Sequence, residues 1–299
     1  MTRVPVILNP TAGGGRLLRL RSELDAVARG LGVDLEFWLT EGKGHAEELA
    51  HAEACRGTPL VLAWGGDGTY NEVARGLVGA PSSLGVLPGG TTSVLAYEFD
   101  IPRPAPTALE ALLRGRDRSM RVGSSSRGDL VVLMLSAGPD AVVVQNAINR
   151  RTGNYKGKTG IALQAIRELL KSRPLPRLRV RSGERVVDGG WTIVGNSRCF
   201  GGPYRATPGA DPFAPAFEVV VLTSSGRAAV TAFALGIPFG RHLRRADVVR
   251  FGCDRVMIEP ISDEAELPYQ VDGDPQERLP VTLEVDPREL IVRVPLASS

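Results

Sequence analysis

The chain contains 299 residues, of which 43% are hydrophobic and 23% are charged, and its formal net charge is +3. This composition excludes a disordered chain, a coiled coil and collagen, and the length predicts about two domains of roughly 150 residues. The charge is too small to indicate nucleic-acid binding, and no run reaches the ~18 apolar residues of a membrane span. Glycine is in excess, because 35 glycines make up about 12% of the chain against a usual share of about 7%.

Residues 1–120 alternate short apolar runs with helical patterns. The apolar runs are Val4–Leu8, Val33–Trp38, Leu60–Ala63 and Leu84–Leu87, and the helical patterns lie near Leu17–Leu31, Ala46–Ala54, Tyr70–Leu77, Thr92–Tyr97 and Thr107–Arg114. Alternation at this spacing is typical of βαβ units. It predicts an α/β domain, in which a parallel sheet is flanked by helices.

A different pattern begins near Gly123, where β-type runs are separated by turn residues. The runs are Leu130–Leu135, Leu178–Val180, Trp191–Val194, Phe217–Leu222, Arg255–Ile258 and Val281–Val285, and two helical stretches, Lys158–Leu170 and Arg227–Leu235, interrupt them. This pattern predicts an antiparallel β-sandwich. We place the boundary near residue 122, between an α/β domain of residues 1–122 and a sandwich domain of residues 123–286.

Three widely spaced cysteines, Cys55, Cys199 and Cys253, fit neither a disulfide framework nor a zinc site. The apolar stretch at the N-terminus is too short for a secretory signal. We therefore expect a protein of the reducing cytoplasm with no nucleic-acid partner. Its oligomeric state is left open, with a homodimer among the alternatives.

Three of the four N-terminal strands lead directly into a glycine-rich turn and then a helix. The three turns lie within Ile7–Arg16, Ala63–Val73 and Val86–Ala96. In an open parallel sheet, ligands bind beyond the carboxyl ends of the strands. Glycine at such a position lets backbone N–H groups reach a phosphate, and the helix N-terminus adds a partial positive charge. One such turn can be a purely structural connection, but three at matching positions predict a nucleotide phosphate site.

The candidate nucleotide-binding residues all lie in these turns. They are Asn9, Pro10, Thr11, Gly13, Gly14, Arg16, Gly65, Gly66, Gly68, Thr69, Gly89, Gly90 and Thr91. The threonines supply hydroxyl groups, with Thr92 as the alternative to Thr91, and Arg16 can pair with a phosphate oxygen.

Other familiar motifs do not fit. The stretch Gly153–Thr159 is one residue short of a Walker A loop, and Leu18 stands where a dinucleotide fingerprint needs its third glycine. The three histidines, His45, His51 and His242, do not cluster, so the sequence does not indicate a histidine metal site.

Five segments, in order along the chain, form a longer pattern. They are GGDGT (Gly65–Thr69), LGVLPGGTTSVLAYEFDIP (Leu84–Pro102), SAGPDAVVV (Ser136–Val144), GNSRCFGGPYRATPGA (Gly195–Ala210) and YQVDGDP (Tyr269–Pro275). Together they resemble the diacylglycerol kinase catalytic-domain family, which includes soluble bacterial diacylglycerol kinases and sphingosine kinases. GGDGT is shared with NAD kinases, whereas the last two segments favour the lipid kinase branch.

The resemblance implies an α/β nucleotide domain beside a β-sandwich domain, with ATP, Mg²⁺ and a lipid hydroxyl in the cleft between them. It also implies that residues 287–299 return to the first domain. The implied activity is ATP-dependent phosphorylation of a lipid hydroxyl, on a diacylglycerol or a sphingoid-type acceptor. The alternatives are an NAD kinase-like small-molecule kinase and a non-catalytic nucleotide- or lipid-binding member of the family.

Phosphoryl transfer needs carboxylates that hold Mg²⁺ and orient or deprotonate the acceptor hydroxyl. Asp67 is the first catalytic candidate and a candidate metal ligand, with helix N-capping as its structural alternative. Asp274 stands where the family has a glutamate that resembles a general base. The side chain of that glutamate is one methylene longer than that of Asp274. Asp140 matches a family acid near the lipid head group or the metal network, whereas we interpret Asp272 as structural. Ser93 departs from the asparagine that is usual in the family.

Basic clusters in the second half predict peripheral contact with an anionic membrane at the inner membrane surface. They are Arg150-Arg151 with Lys156 and Lys158, Arg173–Arg181, and Arg241–Arg245. The apolar stretch Ala228–Phe239 leads straight into the last of them. A helix with an apolar face and a basic end can dock on a leaflet; the alternative is a core helix with a solvated end.

Overall fold

The computed structural model describes residues 1–90, 92–149, 177–262, 267–276 and 278–296. The chain divides into two compact units, one formed by Met1–Arg121 with Pro287–Ser299 and the other by Val122–Asp286. The predicted helix Lys158–Leu170 and the stretch Gly153–Thr159 lie outside the described residues. Within the described ranges, no helix has the length and the apolar content that crossing a bilayer requires.

The first unit is a parallel sheet flanked by helices. Its strands are β1 (Thr2–Leu8), β2 (Val33–Leu39), β3 (Leu60–Gly65) and β4 (Ser83–Pro88), and its helices are α1 (Arg16–Gly30), α2 (His45–Cys55), α3 (Asp67–Leu77), α4 (Val94–Glu98) and α5 (Ala105–Leu113). The strand order is β2-β1-β3-β4, and every pairing in it is parallel. The predicted α/β architecture is confirmed.

The burial of these elements follows from their sequence patterns. Every residue of β3 and β4 is buried, as expected of parallel strands covered on both faces. In α3 the buried residues Tyr70, Val73, Ala74 and Leu77 recur at helical spacing, and this side packs against β3 and β4. The carboxyl ends of β1, β3 and β4 are thereby held in place for the loops that follow them.

In its described residues, the second unit contains antiparallel strands and the two α-helices α6 (Pro139–Asn149) and α7 (Arg227–Gly236). The strands are β5 (Arg116–Ser125), β6 (Leu130–Val131), β7 (Met134–Ala137), β8 (Leu178–Ser182), β9 (Arg185–Gly189), β10 (Trp191–Gly195), β11 (Cys199–Phe200), β12 (Tyr204–Arg205), β13 (Phe217–Leu222), β14 (Val248–Cys253), β15 (Arg255–Pro260), β16 (Tyr269–Val271), β17 (Asp274–Gln276) and β18 (Val281–Val294). Strands β5 and β18 each run across the unit boundary, and the last part of β18 lies parallel to β4 at Val292.

Two sheets enclose the core of the second unit. One has the order β14-β13-β10-β7-β16-β17, and the other includes β9, β8, β15 and the start of β18. Val219 and Val221 of β13 belong to the core cluster that also contains Val180 and Val256 of the other sheet. The alternate residue Val220 belongs to a second cluster, with Phe233 of α7. Helix α7 therefore covers the outer face of the β13 sheet, and the predicted β-sandwich is confirmed.

Several predicted elements have different bounds in the structure, and the predicted strand Val281–Val285 is the start of the longer strand β18. The predicted strand Leu130–Leu135 is two strands, because the N–H groups of Val132 and Leu133 donate to the carboxylate of Asp272 and not to a neighbouring strand. Helix α4 begins at Val94, two residues later than predicted, because Ser93 has a left-handed backbone with a φ of 48°. Helix α3 begins at Asp67, three residues earlier than predicted.

Candidate functional site

The three glycine-rich loops of the first unit meet at the carboxyl ends of β1, β3 and β4. The side chain of Asn9, after β1, donates from Nδ2 to Oγ1 of Thr69 at 3.2 Å. The backbone N–H of Gly89, after β4, donates to the carbonyl of Gly65 at 2.9 Å. The loops after β1 and β4 are therefore each hydrogen-bonded to the loop after β3, and the three predicted loops form one surface.

Two of the glycines are required by contact between loops. A Cβ atom on Gly13, where φ is +60°, would lie 2.9 Å from the carbonyl oxygen of Gly89, and one on Gly90 would lie 2.7 Å from Cα of Gly66. Any side chain there would push the loops apart. Gly14 and Gly68 have no neighbouring atom within 4 Å of such a Cβ. Space beside these two positions is open, which is the property a bound phosphate needs.

Two helices begin at this surface. Helix α1 follows Gly15 and α3 follows Gly66. Within the described part of the chain, no N-cap side chain accepts a hydrogen bond from the first N–H groups of either helix. The first N–H groups of an uncapped helix are unsatisfied donors. Together with the helix dipole they favour an anion at this position.

The carboxylate of Asp67 joins the second loop to the third. Its Oδ2 accepts a hydrogen bond from the Thr92 hydroxyl at 2.5 Å, and its Oδ1 accepts one from the backbone N–H of Val94 at 2.6 Å. Burial raises the pKa of Asp67 above its ordinary value, and the hydrogen bonds from Thr92 and Val94 act in the opposite direction. The N-cap of α3 is Gly66, so Asp67 does not serve as the helix cap. It holds the third loop instead.

Tyr70 and Ser93 add a buried connection beneath the loops. The Tyr70 hydroxyl lies 2.6 Å from the carbonyl of Gly65 and 2.9 Å from that of Leu87, and 3.3 Å from Oγ of Ser93. Burial raises the pKa of Tyr70 well above its ordinary value, so the phenol stays protonated as a donor. Ser93 has the left-handed backbone that asparagine tolerates better than most residues, which gives a physical reason for the asparagine usual at this position.

The remaining predicted residues of the first unit surround this surface. Asn9 Oδ1 accepts hydrogen bonds from the backbone N–H and the hydroxyl of Thr11, and Arg16 is an exposed residue at the start of α1. Thr91 lies outside the described residues. Arg103, which sequence reasoning did not select, stacks over the Tyr97 ring at 5.1 Å and reaches the carbonyl of Gly90 at 3.5 Å.

In the second unit, Asp140 lies in the first turn of α6, just beyond the end of β7. Both of its carboxylate oxygens are buried and accept no hydrogen bond of ordinary geometry from the described residues. Burial raises the pKa of Asp140 to about 6, although Ser136 and Gln270 lie close enough to lower it. A buried carboxyl without a partner is unusual in a structural position and common in functional sites. The alternative of an exposed loop acid is wrong.

The hairpin of β16 and β17 carries the other predicted acid. Asp272 accepts hydrogen bonds from the backbone N–H groups of Val132, Leu133 and Met134, each at 2.8 Å, so it has a structural role. Asp274, two residues further, opens β17 and is partly exposed. Helix α6 packs on both strands of this hairpin, which brings the helix of Asp140 and the strand of Asp274 together within the unit.

Besides Arg103, two more residues near the site, Gln270 and Tyr70, were not predicted from the sequence. Gln270 accepts a hydrogen bond from Gly273 with its side-chain oxygen and lies beside Asp140. Tyr70 directly follows GGDGT. Gln270 lies within Tyr269–Pro275 and Tyr70 within the turn region Ala63–Val73. The sequence does not reveal that their side chains point inward, to the buried acid and to the loops.

The described residues contain no cluster of three or more His, Cys, Asp or Glu side chains that could form a metal cage. Mg²⁺ seldom uses such a cage, because it keeps several waters and binds one or two carboxylates together with substrate phosphates. The Asp67 carboxylate beside an anion-binding surface fits that mode of binding.

Comparison with known proteins finds a matching family for each of the two units. The family described as "Diacylglycerol kinase catalytic domain" matches residues 3–125, and "YegS C-terminal NAD kinase beta sandwich-like domain" matches residues 133–294. Among curated proteins, a diacylglycerol kinase of Mycobacterium tuberculosis (strain CDC 1551 / Oshkosh) is 26% identical over 86% of this chain and 85% of its own length. One from Staphylococcus aureus (strain MRSA252) is 23% identical over 93% of this chain and 88% of its own.

Solved structures show the same fold. A crystal structure from Bacillus anthracis str. Sterne superposes with a TM-score of 0.82 at 20% identity, covering 99% of this chain and 96% of that chain. Another from the same organism, of a diacylglycerol kinase, has a TM-score of 0.73 at 17% identity, covering 99% of this chain and 98% of its own.

Proposed function

The chain belongs to the diacylglycerol kinase catalytic-domain family, and on that premise we propose that it is an ATP- and Mg²⁺-dependent lipid kinase that phosphorylates a lipid hydroxyl. Family membership supports a lipid kinase-like function. The proposal adds the nucleotide, the metal and the acceptor, for which a diacylglycerol is the first choice and a sphingoid-type lipid the second.

One observation carries the proposal. Three loops from neighbouring parallel strands meet at one surface, where the uncapped N-termini of α1 and α3 and the open space beside Gly14 and Gly68 suit the phosphates of a nucleotide. The exposed Arg16 at the start of α1 supplies a fixed positive charge. Such a surface binds and orients a triphosphate, which is the largest part of what phosphoryl transfer requires.

The reaction needs one proton acceptor. The acceptor hydroxyl oxygen attacks the γ-phosphorus, the bond from that phosphorus to the β–γ bridging oxygen breaks, and ADP leaves while the hydroxyl proton passes to a carboxylate. Asp274 and Asp67 are the two candidates for that carboxylate. Asp67 is also the residue that would hold a nucleotide-bound Mg²⁺, whose charge would offset the charge that develops on the phosphates.

The proposal is tested with γ-labelled ATP, Mg²⁺ and three kinds of acceptor: diacylglycerol, a sphingoid base and NAD. The proposal is supported if label appears in the diacylglycerol product. This labelling should be abolished by Asp67→Asn and retained in the control Asp254→Asn, which changes an exposed residue. Label in NAD alone indicates a small-molecule kinase. Nucleotide binding without transfer to any acceptor indicates a non-catalytic member of the family.

A further inference from the structure

The outer side of helix α7 and the turn after it form an unusual surface in the second unit. The helix buries Val230, Phe233 and Gly236 against the β13 sheet. Its opposite side exposes Ala228, Ala232 and Leu235 to solvent, at the spacing of one helical face. A surface helix ordinarily carries charged residues on its solvent side, and this one has no charge between Arg227 and Arg241.

Large apolar side chains extend this face beyond the helix. Phe239 is 75% exposed and Leu235 is 52% exposed. The short strand β12 packs beside the turn Ile237–Phe239, and its Tyr204 is 42% exposed. Exposed apolar residues scattered singly are normal, but a contiguous group marks an interaction site.

Arginines border the apolar residues. Arg205 lies in β12, and Arg241 and Arg244 follow Phe239. The guanidinium of Arg241 lies 5.9 Å from the centre of the Phe239 ring. Arg241 and Arg244 make no ion pair with any carboxylate in the described ranges, whereas the neighbouring Arg245 is paired with Asp247 at 2.7 Å. The border is therefore positively charged.

The other basic clusters differ from this one. In Arg173–Arg181, Arg179 is paired with Asp188 and Arg181 with Glu259, so the described part of that cluster is largely neutralised. The cluster Arg150-Arg151 with Lys156 and Lys158 lies outside the described residues. Within the described part of the chain, only the α7 face combines unpaired arginines with exposed aromatic side chains.

We propose that this face, formed by Tyr204, Arg205, Leu235, Phe239, Arg241 and Arg244, docks on an anionic lipid bilayer. Apolar side chains at the tip enter the boundary between head groups and acyl chains, where Tyr and Phe are well suited, and the bordering arginines bind lipid phosphates. The charge of the border favours this occupant over a second copy of the chain, because two copies facing each other would bring their arginines together. The docking concerns where the protein acts and does not depend on which reaction it catalyses.

The test is co-sedimentation of the purified full chain with vesicles of phosphatidylcholine alone and of phosphatidylcholine with 30% phosphatidylglycerol. We expect binding to the anionic vesicles only. Each basic residue near such a surface contributes about 1 kcal/mol, which is about fivefold in affinity. The variant Arg241→Gln/Arg244→Gln should therefore bind about 25-fold more weakly. The control Arg177→Gln/Arg255→Gln removes the same charge from exposed residues beside β8 and in β15, where Arg255 is paired with Glu284 at 3.3 Å. It should bind as the wild type does.

A second pair of variants tests the apolar part. Leu235→Gln/Phe239→Ser should lose binding at least tenfold, whereas Val186→Thr, at an exposed residue of β9, should not. Because all these side chains are exposed, circular dichroism is expected to show that each variant folds. Equal binding by all variants, or no binding by the wild type, would overturn the proposal. So would light scattering that shows a dimer broken by Phe239→Ser, since a second copy would then cover the face.

The docking and the reaction can fail separately. Phosphorylation of a short-chain diacylglycerol dispersed below its micelle concentration should be the same in Arg241→Gln/Arg244→Gln as in the wild type. A variant that loses this activity together with vesicle binding would contradict a role confined to docking. A wild type that binds vesicles but phosphorylates no lipid would contradict the kinase proposal and leave the docking supported.

Discussion

The carboxylate of Asp67 and the hydroxyl of Thr92 are 25 residues apart in sequence and form a 2.5 Å hydrogen bond. This bond, with the neighbouring one from the Val94 N–H, makes the central acid of GGDGT a structural connection between two loops as well as a candidate catalytic residue. A change at Asp67 therefore alters the shape of the site and its charge together. Variants of the partner residues are needed to separate the two effects.

Thr92→Val should move the pH dependence of activity. The Thr92 hydroxyl lowers the pKa of Asp67 against the effect of burial, so its loss raises that pKa and the carboxylate ionises at a higher pH. We expect the acidic limb of the profile of kcat/KM for ATP to shift upward, with little change above the limb. Thr92→Ser retains the hydroxyl and should restore the wild-type profile. An unshifted limb in Thr92→Val would show that the ionisation of Asp67 does not limit the reaction.

Tyr70→Phe should destabilise the first unit by about 1–2 kcal/mol. The change removes one buried hydroxyl that is within hydrogen-bonding distance of carbonyls in two loops, and the ring itself is retained. Urea unfolding measures the effect. The exposed Tyr204→Phe is the control and should lie within about 0.5 kcal/mol of the wild type. Equal stability of the two variants would contradict the connecting role of Tyr70.

Asp140→Asn should change how stability depends on pH. The pKa of Asp140 is raised in the folded state from 3.8 to about 6. Ionisation of this group therefore lowers the free energy of unfolding. The wild type should lose stability as the pH rises from about 4 through about 6, by about 3 kcal/mol at one pKa unit per ~1.4 kcal/mol. Asp140→Asn lacks this loss.

Denaturant unfolding at intervals between pH 4 and pH 8 measures that difference. The advantage of Asp140→Asn over the wild type should grow across this range and level off above pH 7. The free energy of unfolding of the control Asp254→Asn, a change at an exposed residue, should depend on pH as that of the wild type does. A constant difference between Asp140→Asn and the wild type would mean that Asp140 ionises in the folded protein as it does in the unfolded chain.

Asp272→Ala should be strongly destabilising, by about 3 kcal/mol, because three backbone N–H groups lose their shared acceptor. Two of these donors, Val132 and Leu133, lie in the break between β6 and β7, and Met134 is the first residue of β7. Hydrogen exchange should show faster exchange at Val132, Leu133 and Met134. Unchanged protection there would contradict the role given to Asp272. Asp254→Ala, at an exposed position in the same unit, provides the control.

The sequence predicted the fold class because its two patterns differ physically. Strands covered on both faces read as continuous apolar runs, as in β3 and β4, and helices between them indicate a parallel sheet. Strands without that pattern were missed. The first residues of β5, Arg116–Ser119, are polar and exposed, and β16 and β17 are only three residues long, so neither gives a periodic signal.

The candidate site was predictable in part. The three glycine turns were found because strand, turn and helix follow one another in the chain. The contacts that unite them, such as Asn9 with Thr69 or Gly13 with Gly89, join residues far apart in sequence and follow only from the order of strands in the sheet. The excess of glycine also has a second cause that the sequence did not reveal, since Gly13 and Gly90 make room for a neighbouring loop as well as for a ligand.

The central claim is that the surface around Asp67 transfers phosphate from ATP to a lipid hydroxyl. The most direct measurement is transfer of label from γ-labelled ATP to diacylglycerol in mixed micelles with Mg²⁺, comparing the wild type with Asp67→Asn. We predict labelled lipid with the wild type and a loss of at least 100-fold in kcat with Asp67→Asn, at unchanged circular dichroism. Equal labelling by both proteins, or no labelled lipid from a wild type that binds ATP, would contradict it.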